Sequence, residues 1–127
     1  MTRKTPVCPD RIRVVPEQFS WVDHRLVRDR YIERLTHKAA ALYLFLVTVA
    51  DSQGLSYYSD ESLGKRLAMN EASLDSARSE LRQTGLVAYK SPIYQVLPLG
   101  EAPAAKRATG EPMAVGDILK KLAGGAR

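Results

Sequence analysis

The sequence predicts an α+β fold, mainly α-helical with a small antiparallel β-sheet, and three observations support this class. Residues 39–50 form an apolar run with a single threonine, which is typical of a buried core helix. Residues 59–85 contain two amphipathic segments, each preceded by a residue that favours helix caps. Residues 86–97 alternate between apolar and polar side chains on both sides of a Ser-Pro pair, which indicates a β-hairpin.

Two further elements are predicted before the core helix. Residues 17–22 contain two aromatics and alternate in part, so we expect a strand or extended segment that packs on the core. Residues 23–35 have helical character, and Asp23 is the expected N-cap. The inner face of this helix is predicted to carry the residues at i, i+4 and i+8, which are Val27, Tyr31 and Leu35.

The core helix is expected to begin after Thr36, whose side chain can cap it. We expect it to stop near Gly54, where a left-handed residue can end a helix. Tyr43 and Phe45 are predicted to lie in the core rather than in a ligand site. Residues 55–58 are rich in β-forming side chains and predict a short strand.

A very short connection is expected to hold the next two helices at a steep angle. Ser59 and Asn70 are the predicted N-caps, and only Ala68 and Met69 separate the first helix from the second cap. Helical spacing divides the side chains into inner and outer faces. The inner face of the first helix is predicted to be Leu63 and Leu67. The inner face of the second helix is predicted to be Leu74, Ala77 and Leu81. The outer face of the second helix is predicted to be Ala72, Ser76, Ser79 and Gln83.

The pattern of residues 59–87 resembles the winged helix-turn-helix superfamily. It runs from the cap Ser59 through the cap Asn70 to the Gly85-Leu86-Val87 sequence that enters the hairpin. That pattern is shared by bacterial transcriptional regulators and by DNA-binding domains of phage and plasmid replication initiators. The resemblance covers about residues 36–99. It implies that the second helix is held against DNA and that the short strand pairs with the hairpin. The sequence departs from the pattern at Gly64 and Ala68, where such helices more often have Ala and Gly, and in its minimal hairpin tip.

A DNA-binding role would divide the contacts into base-reading and phosphate-contacting groups. The base-reading candidates on the second helix are Ser73, Ser76, Arg78, Ser79, Arg82 and Gln83. The phosphate-contacting candidates are Arg3, Lys4, Arg11, Arg13, Arg25, Arg28, Lys65, Arg66 and Lys90. Glu71, Asp75 and Glu80 oppose this interpretation, because they give the second helix a net charge of −1.

Positive charge is concentrated outside the two capped helices. Of the net charge of +5, residues 1–38 carry +4, residues 39–100 carry −1 and residues 101–127 carry +2. Residues 1–15 predict a flexible basic arm that follows a phosphate backbone or minor groove, with a solubilising terminus as the alternative. The arginine-rich residues 23–35 either contact phosphates, form a dimer interface or present a solvated charged face.

The folded domain is predicted to comprise residues 16–99. Residues 100–112 have the Ala, Pro and Gly content of a linker. Residues 113–127 predict a short amphipathic helix that would be ordered only by docking on its own domain, a second subunit or another protein. The alternative is that the spacing of its apolar residues is random, and these residues are Val115, Ile118, Leu119 and Leu122.

Several other protein classes find no support in the sequence. Cys8 is the only cysteine, which excludes an intramolecular disulfide and a cysteine metal cluster. The N-terminus lacks the apolar region of a secretory signal, and the twelve-residue apolar run is too short to cross a bilayer. The two histidines are far apart, and catalytic and phosphate-loop motifs are missing. We therefore expect a cytoplasmic protein that is not an enzyme and has no metal or cofactor.

The function predicted from these features is sequence-specific binding of double-stranded DNA. The expected protein is a transcriptional regulator of a bacterium or mobile element, acting as a homodimer on a pseudo-palindromic site. One alternative is an accessory protein for replication initiation or partition. The other is an adaptor in which the winged helix and residues 113–127 bind proteins.

Overall fold

The computed structural model describes residues 3–100, which form four α-helices, two short 3₁₀-helices and one three-stranded antiparallel sheet. The predicted α+β class is confirmed. The residues 101–112 of the expected linker and the segment 113–127 lie outside the described part of the chain. In chain order the elements are a 3₁₀-helix Pro9–Arg11, α1 Arg25–Arg28, a 3₁₀-helix Ile32–Arg34, α2 His37–Val49, β1 Leu55–Tyr57, α3 Asp60–Leu67, α4 Glu71–Gln83, β2 Val87–Lys90 and β3 Ile93–Val96.

Helix α2 is the central helix, and its predicted cap is confirmed. The Thr36 hydroxyl accepts a hydrogen bond from the backbone N–H of Ala39 at 3.2 Å. Ala39, Leu42 and Leu46 are fully buried, so the helix forms one wall of the core.

The predicted end of this helix near Gly54 is wrong, because α2 stops at Val49. The Asp51 carboxylate accepts hydrogen bonds from the backbone N–H groups of Gln53 and Leu55, both at 2.9 Å, and thereby holds a separate turn. Gly54 lies in that turn with φ +83°, and a Cβ there would lie 2.7 Å from the carbonyl oxygen of Val96. Glycine is therefore required for the close approach of this turn to β3.

Both predicted caps of the following helices are confirmed. The Ser59 hydroxyl accepts a hydrogen bond from the N–H of Ser62 at 3.1 Å, and the Asn70 side chain accepts one from Ser73 at 2.8 Å. Between α3 and α4 the chain reverses at Ala68, which adopts the left-handed conformation with φ +55°.

The sheet has the strand order β1-β3-β2, and both pairs are antiparallel. The hairpin of β2 and β3 turns at Ser91-Pro92, as predicted, through a cis peptide bond. The pairing of β1 with β3 places Ser56 opposite Tyr94, so the short strand does pair with the hairpin. Tyr94 is fully buried and brings the sheet into the same core as the helices.

One hydrophobic core joins α2, α3, α4 and the sheet. The predicted inner face of α4 is confirmed, since Leu74, Ala77 and Leu81 are essentially inaccessible. Tyr43 is buried as predicted, and Phe45 is partly buried with its ring edge-on to Tyr58 at 5.1 Å.

Residues 23–35 do not form the single helix that the sequence predicts. Helix α1 has four residues, and the chain leaves the helical conformation at Arg30, where φ is +66°. Leu26 is buried in place of Val27, which is 64% exposed. The predicted N-cap Asp23 is also wrong, because His24 occupies the N-cap position of α1; the Asp23 carboxylate nevertheless accepts a hydrogen bond from the N–H of Arg25 at 2.9 Å.

The segment 17–22 is also not a strand, and its aromatic side chains are not part of the core. Phe19 is 64% exposed and Trp21 72% exposed. The segment is attached to α2 through the Ser20 hydroxyl, which donates to the carbonyl oxygen of Thr48 at 3.2 Å. Within residues 3–100, the helices are all too short or too polar to cross a membrane.

Candidate nucleic-acid interface

The outer face of α4 is exposed, as the helical spacing predicts. Ala72, Ser76, Ser79 and Gln83 all lie at the surface. The Gln83 amide nitrogen donates to the Ser79 hydroxyl at 3.3 Å, so the two side chains lie side by side. This face of the described helix carries no large exposed apolar side chain. Small polar groups on a helix surface permit close approach to another molecule and can exchange hydrogen bonds with it.

Glu80 attaches the middle of α4 to the start of α2. Its carboxylate accepts hydrogen bonds from the backbone N–H of Thr36 at 2.9 Å and from the Thr36 hydroxyl at 2.8 Å. The same hydroxyl caps α2 by accepting from Ala39. Glu80 therefore joins α4 to the start of α2 and has a structural role.

Arg78 differs from its predicted role as a base reader, because its side chain points into the protein. It is 8% exposed, and among residues 3–100 it is the single buried polar or charged residue. Its Nη1 atom donates to Asp60 Oδ1 at 2.8 Å and to the Tyr94 hydroxyl at 2.6 Å. The guanidinium also lies 4.6 Å from the centre of the Tyr89 ring. We therefore assign Arg78 as a positioning residue that joins α3, α4 and the hairpin.

The position of Arg78 follows from a signal that was present in the sequence. It lies four residues after Leu74 and three before Leu81, which are both inner-face residues. Helical spacing therefore places it on the inner face, where burial requires a charged partner. That partner, Asp60, lies 18 residues earlier on another helix and could not be identified from spacing alone.

The electrostatics of this cluster keep Arg78 charged. The hydrogen bonds with the Asp60 carboxylate raise the pKa of Arg78 further above its already high usual value. Burial raises the pKa of the neighbouring Tyr94 hydroxyl. At neutral pH the cluster thus contains a guanidinium and a neutral phenol. A second carboxylate, that of Asp75, lies 3.4 Å from Nη2 of Arg78.

Lys38 contributes a positive charge beside α4 that the sequence did not reveal. Its Nζ donates to the Ser73 hydroxyl at 3.0 Å, although the two residues are 35 positions apart. The contact places an exposed ammonium group at the side of the candidate helix. Ser73 is half-buried and hydrogen-bonded to Lys38, whereas Ser76 and Ser79 are exposed.

The other predicted cations fall into three groups. Arg82 is exposed on α4, Lys65 and Arg66 are exposed on α3, and Lys90 is exposed at the end of β2. Arg25 is half-buried and forms an ion pair with Asp23 at 2.8 Å, whereas Arg28 is exposed. The predicted arm cations are also exposed, and they are Arg3, Lys4, Arg11 and Arg13. The structure thus brings Arg82 and Lys38 to α4 itself and places Lys65 and Arg66 on the helix before it.

Within the described residues, no group of three or more His, Cys, Asp or Glu side chains has the arrangement of a metal site. Comparisons of the chain with protein-family models, with curated proteins and with solved structures found no match.

Proposed function

We propose that this chain carries a winged helix-turn-helix domain that binds double-stranded DNA, with α4 as the helix that enters the major groove. Helices α3 and α4 are separated by residues 68–70, and the β2–β3 hairpin begins four residues after α4 ends. This order of elements supports a recognition helix flanked by a short wing. The strand β1, paired with β3, completes the small sheet on which the wing is mounted.

The outer face of α4 is the observation that supports the proposal most directly. A major groove about 12 Å wide admits an α-helix, and hydroxyl and amide groups can exchange hydrogen bonds with its base edges. Ser76, Ser79 and Gln83 present such groups in a row, and Ala72 adds a methyl group that suits contact with thymine. The opposite face of α4 is buried in the core, so the row is held on a rigid support.

The contacts of Arg78 and Ser73 narrow the set of side chains proposed to read bases. With Arg78 buried and Ser73 bonded to Lys38, the proposed base-reading group becomes Ser76, Ser79, Arg82 and Gln83. Ser73 and Lys38 form a hydrogen-bonded pair at one side of the helix, suited to a phosphate of the groove wall.

Affinity for phosphates has to come from outside α4. Its exposed charges include Glu71 and Asp75 as well as Arg82, so the helix does not attract a polyanion by itself. The supporting cations are Lys38, Lys65, Arg66 and Lys90, together with the exposed arginines and lysine of residues 3–13. In this proposal the cations supply non-specific affinity for DNA, and α4 supplies the preference for particular base sequences.

The wider role proposed for this binding is transcriptional regulation by a homodimer on a pseudo-palindromic site. Two symmetry-related copies of α4 would contact half-sites one helical turn apart, about 34 Å. Participation in replication initiation or partition would use the same DNA-binding surface.

The proposal is tested by measuring affinity for a labelled random-sequence duplex as a function of salt. We expect log K to fall linearly with log salt, with a slope of about −0.9 for each phosphate contact. Lys38→Gln and Lys65→Gln should each make that slope shallower by about one contact. Binding that is undetectable at low salt, or affinity that does not depend on salt, would refute the proposal and favour a protein-binding adaptor.

A further inference from the structure

An open groove lies on the part of the protein formed by the second half of α2, the turn before β1 and the end of β3. Its volume is about 410 Å³, within the range of about 300–1,000 Å³ typical of ligand pockets. Phe19 and Trp21 line it from the N-terminal segment, Tyr43 and Val47 from α2, and Val96 and Leu97 from the end of the sheet. The groove therefore has an apolar wall of aromatic and branched side chains, and polar side chains at its edge, which are Ser20, Asp23, Asp51, Ser52 and Gln53.

The two aromatic residues of the N-terminal segment are held beside the groove without being buried in it. The Ser20 hydroxyl, between them in sequence, donates to the carbonyl oxygen of Thr48 and fixes the segment on α2. Phe19 and Trp21 nevertheless remain mostly exposed to solvent. Aromatic side chains that line a groove and still face water expose an apolar area that another segment could cover.

The described chain ends at this groove. Leu97, Pro98 and Leu99 line it, and Leu99 is buried. The next residue, Gly100, donates its backbone N–H to the Tyr31 hydroxyl at 3.1 Å, which fixes the point of departure. The chain then continues for 27 residues, from 101 to 127.

We propose that residues 113–127 of the same chain dock in this groove as an amphipathic helix. Docking of a helix into an apolar groove uses anchors at i, i+3, i+4 and i+7. The segment supplies this spacing with Val115, Ile118, Leu119 and Leu122. A helix this short is marginal alone, so contact with the groove would provide the burial that stabilises it.

Chain length and charge both favour an intramolecular occupant. A random coil of 13 residues, the length of segment 100–112, has an average end-to-end distance of about 20 Å, which is enough to reach from Gly100 back over the groove. Tethering by such a linker gives residues 113–127 an effective concentration at the groove of about the millimolar range, so weak contacts are enough for the segment to dock. Lys120 and Lys121 are positively charged, and Asp51 on the groove wall is acidic with hydrogen bonds to backbone N–H groups.

Trp21 is the only tryptophan of the chain and reports directly on the groove. In the full-length protein we expect acrylamide to quench its fluorescence at least about twofold less efficiently than in an Ile118→Asp/Leu119→Asp variant, since docking removes the indole from water. The control variant Ala104→Asp/Ala105→Asp adds the same charge in the linker and should be quenched like the wild type. Equal quenching of the wild type and the Ile118→Asp/Leu119→Asp variant would overturn the proposal.

A second experiment changes the groove instead of the docking segment. Because Phe19 is mostly exposed, Phe19→Ser leaves the core intact and removes one wall of the groove. Trypsin should cleave after Lys120 and Lys121 several-fold faster in this variant than in the wild type, whereas cleavage after Lys106 and Arg107 in the linker should be unchanged. Unchanged cleavage at the two lysines would contradict docking. Protection that rises with concentration over a roughly hundredfold range would identify a second copy as the occupant and also overturn the proposal.

Discussion

Gly64 and Ala68 illustrate at the scale of single residues how the connection between α3 and α4 is constructed. Ala68 reverses the chain in the left-handed conformation, which is unfavourable for a residue with a Cβ atom. Gly64 lies inside α3, and a Cβ there would lie 2.8 Å from the carbonyl oxygen of Met69. At Gly64 the departure from the winged-helix pattern therefore has a steric reason, because a side chain there would be too close to Met69. At Ala68 the departure costs conformational free energy, because an alanine adopts the left-handed conformation.

Substitutions at these two positions should change stability in opposite directions. Ala68→Gly should raise the free energy of unfolding by up to about 1 kcal/mol, since the left-handed conformation is then unstrained. Gly64→Ala should lower it by about 1–3 kcal/mol, because the backbone of Met69 must move. Urea unfolding measures both. A stabilising Gly64→Ala substitution would show that the tight contact with Met69 is not present in solution.

The ion pair of Asp23 with Arg25 should be visible as a shifted titration. Hydrogen bonds from the Arg25 side chain, followed by that from its backbone N–H, lower the pKa of Asp23 from 3.8 to about 2. A carboxylate with a lowered pKa stabilises the folded state above pH 4, and this contribution is lost as the pH falls from about 4 towards 2. An NMR titration should give a midpoint near 2 in the wild type and a higher one in Arg25→Gln. A wild-type midpoint near 4 would argue against the pair.

At the scale of elements, Arg78 is the main polar connection between the helices and the sheet. It contacts Asp60 at the start of α3, Tyr89 on β2 and Tyr94 on β3. Since the outer face of α4 lies on the other side of the same helix, this cluster sets the orientation of the candidate DNA-binding surface relative to the hairpin.

Removing Arg78 should therefore lower stability rather than remove a base contact. Arg78→Ala leaves the buried Tyr94 hydroxyl without its partner and opens a cavity beside two tyrosine rings, so we expect a loss of about 2–4 kcal/mol in the free energy of unfolding. Arg82→Ala, on the exposed side of the same helix, is the matched control and should change stability by less than about 0.5 kcal/mol. Thermal or urea unfolding compares the two, and equal effects would show that Arg78 is not buried.

The sequence predicts elements well where the determining interactions are local. The caps at Thr36, Ser59 and Asn70 each involve a residue three positions away, so the prediction needed only a short stretch of chain. Alternation and the Ser91-Pro92 pair were likewise enough to predict the hairpin.

Contacts between distant parts of the chain cannot be predicted from the sequence in this way. The Glu80–Thr36 and Lys38–Ser73 hydrogen bonds join residues 44 and 35 positions apart. Helical spacing of several apolar positions predicts one helix over residues 23–35, and nothing in that spacing shows that Arg30 adopts a left-handed conformation. The base-reading prediction is wrong at Arg78 although helical spacing places this residue on the inner face, because its partner Asp60 lies on another helix and cannot be identified from spacing.

At the scale of the whole molecule, the positive charge and the folded core belong to different parts of the chain. Residues 39–100 carry a net charge of −1 and form most of the folded core, whereas residues 1–38 carry +4. In the proposed DNA complex the core positions α4 and the flanking cations supply attraction to phosphate. A protein divided in this way should lose affinity with salt and lose sequence preference when the outer face of α4 is altered.

The most direct test of the central claim is therefore to place negative charge on that outer face and measure DNA affinity. Ser76→Glu/Ser79→Glu should weaken duplex binding at least about tenfold, through lost hydrogen bonds and repulsion from phosphates, with little effect on the fold. The control Ser52→Glu/Gln53→Glu adds the same charge at exposed positions in the turn before β1, outside α4 and outside the hairpin. Its affinity should fall by no more than about threefold, because distant charges are screened. Equal losses in the two variants, or unchanged binding by Ser76→Glu/Ser79→Glu, would contradict the assignment of α4 as the DNA-reading helix.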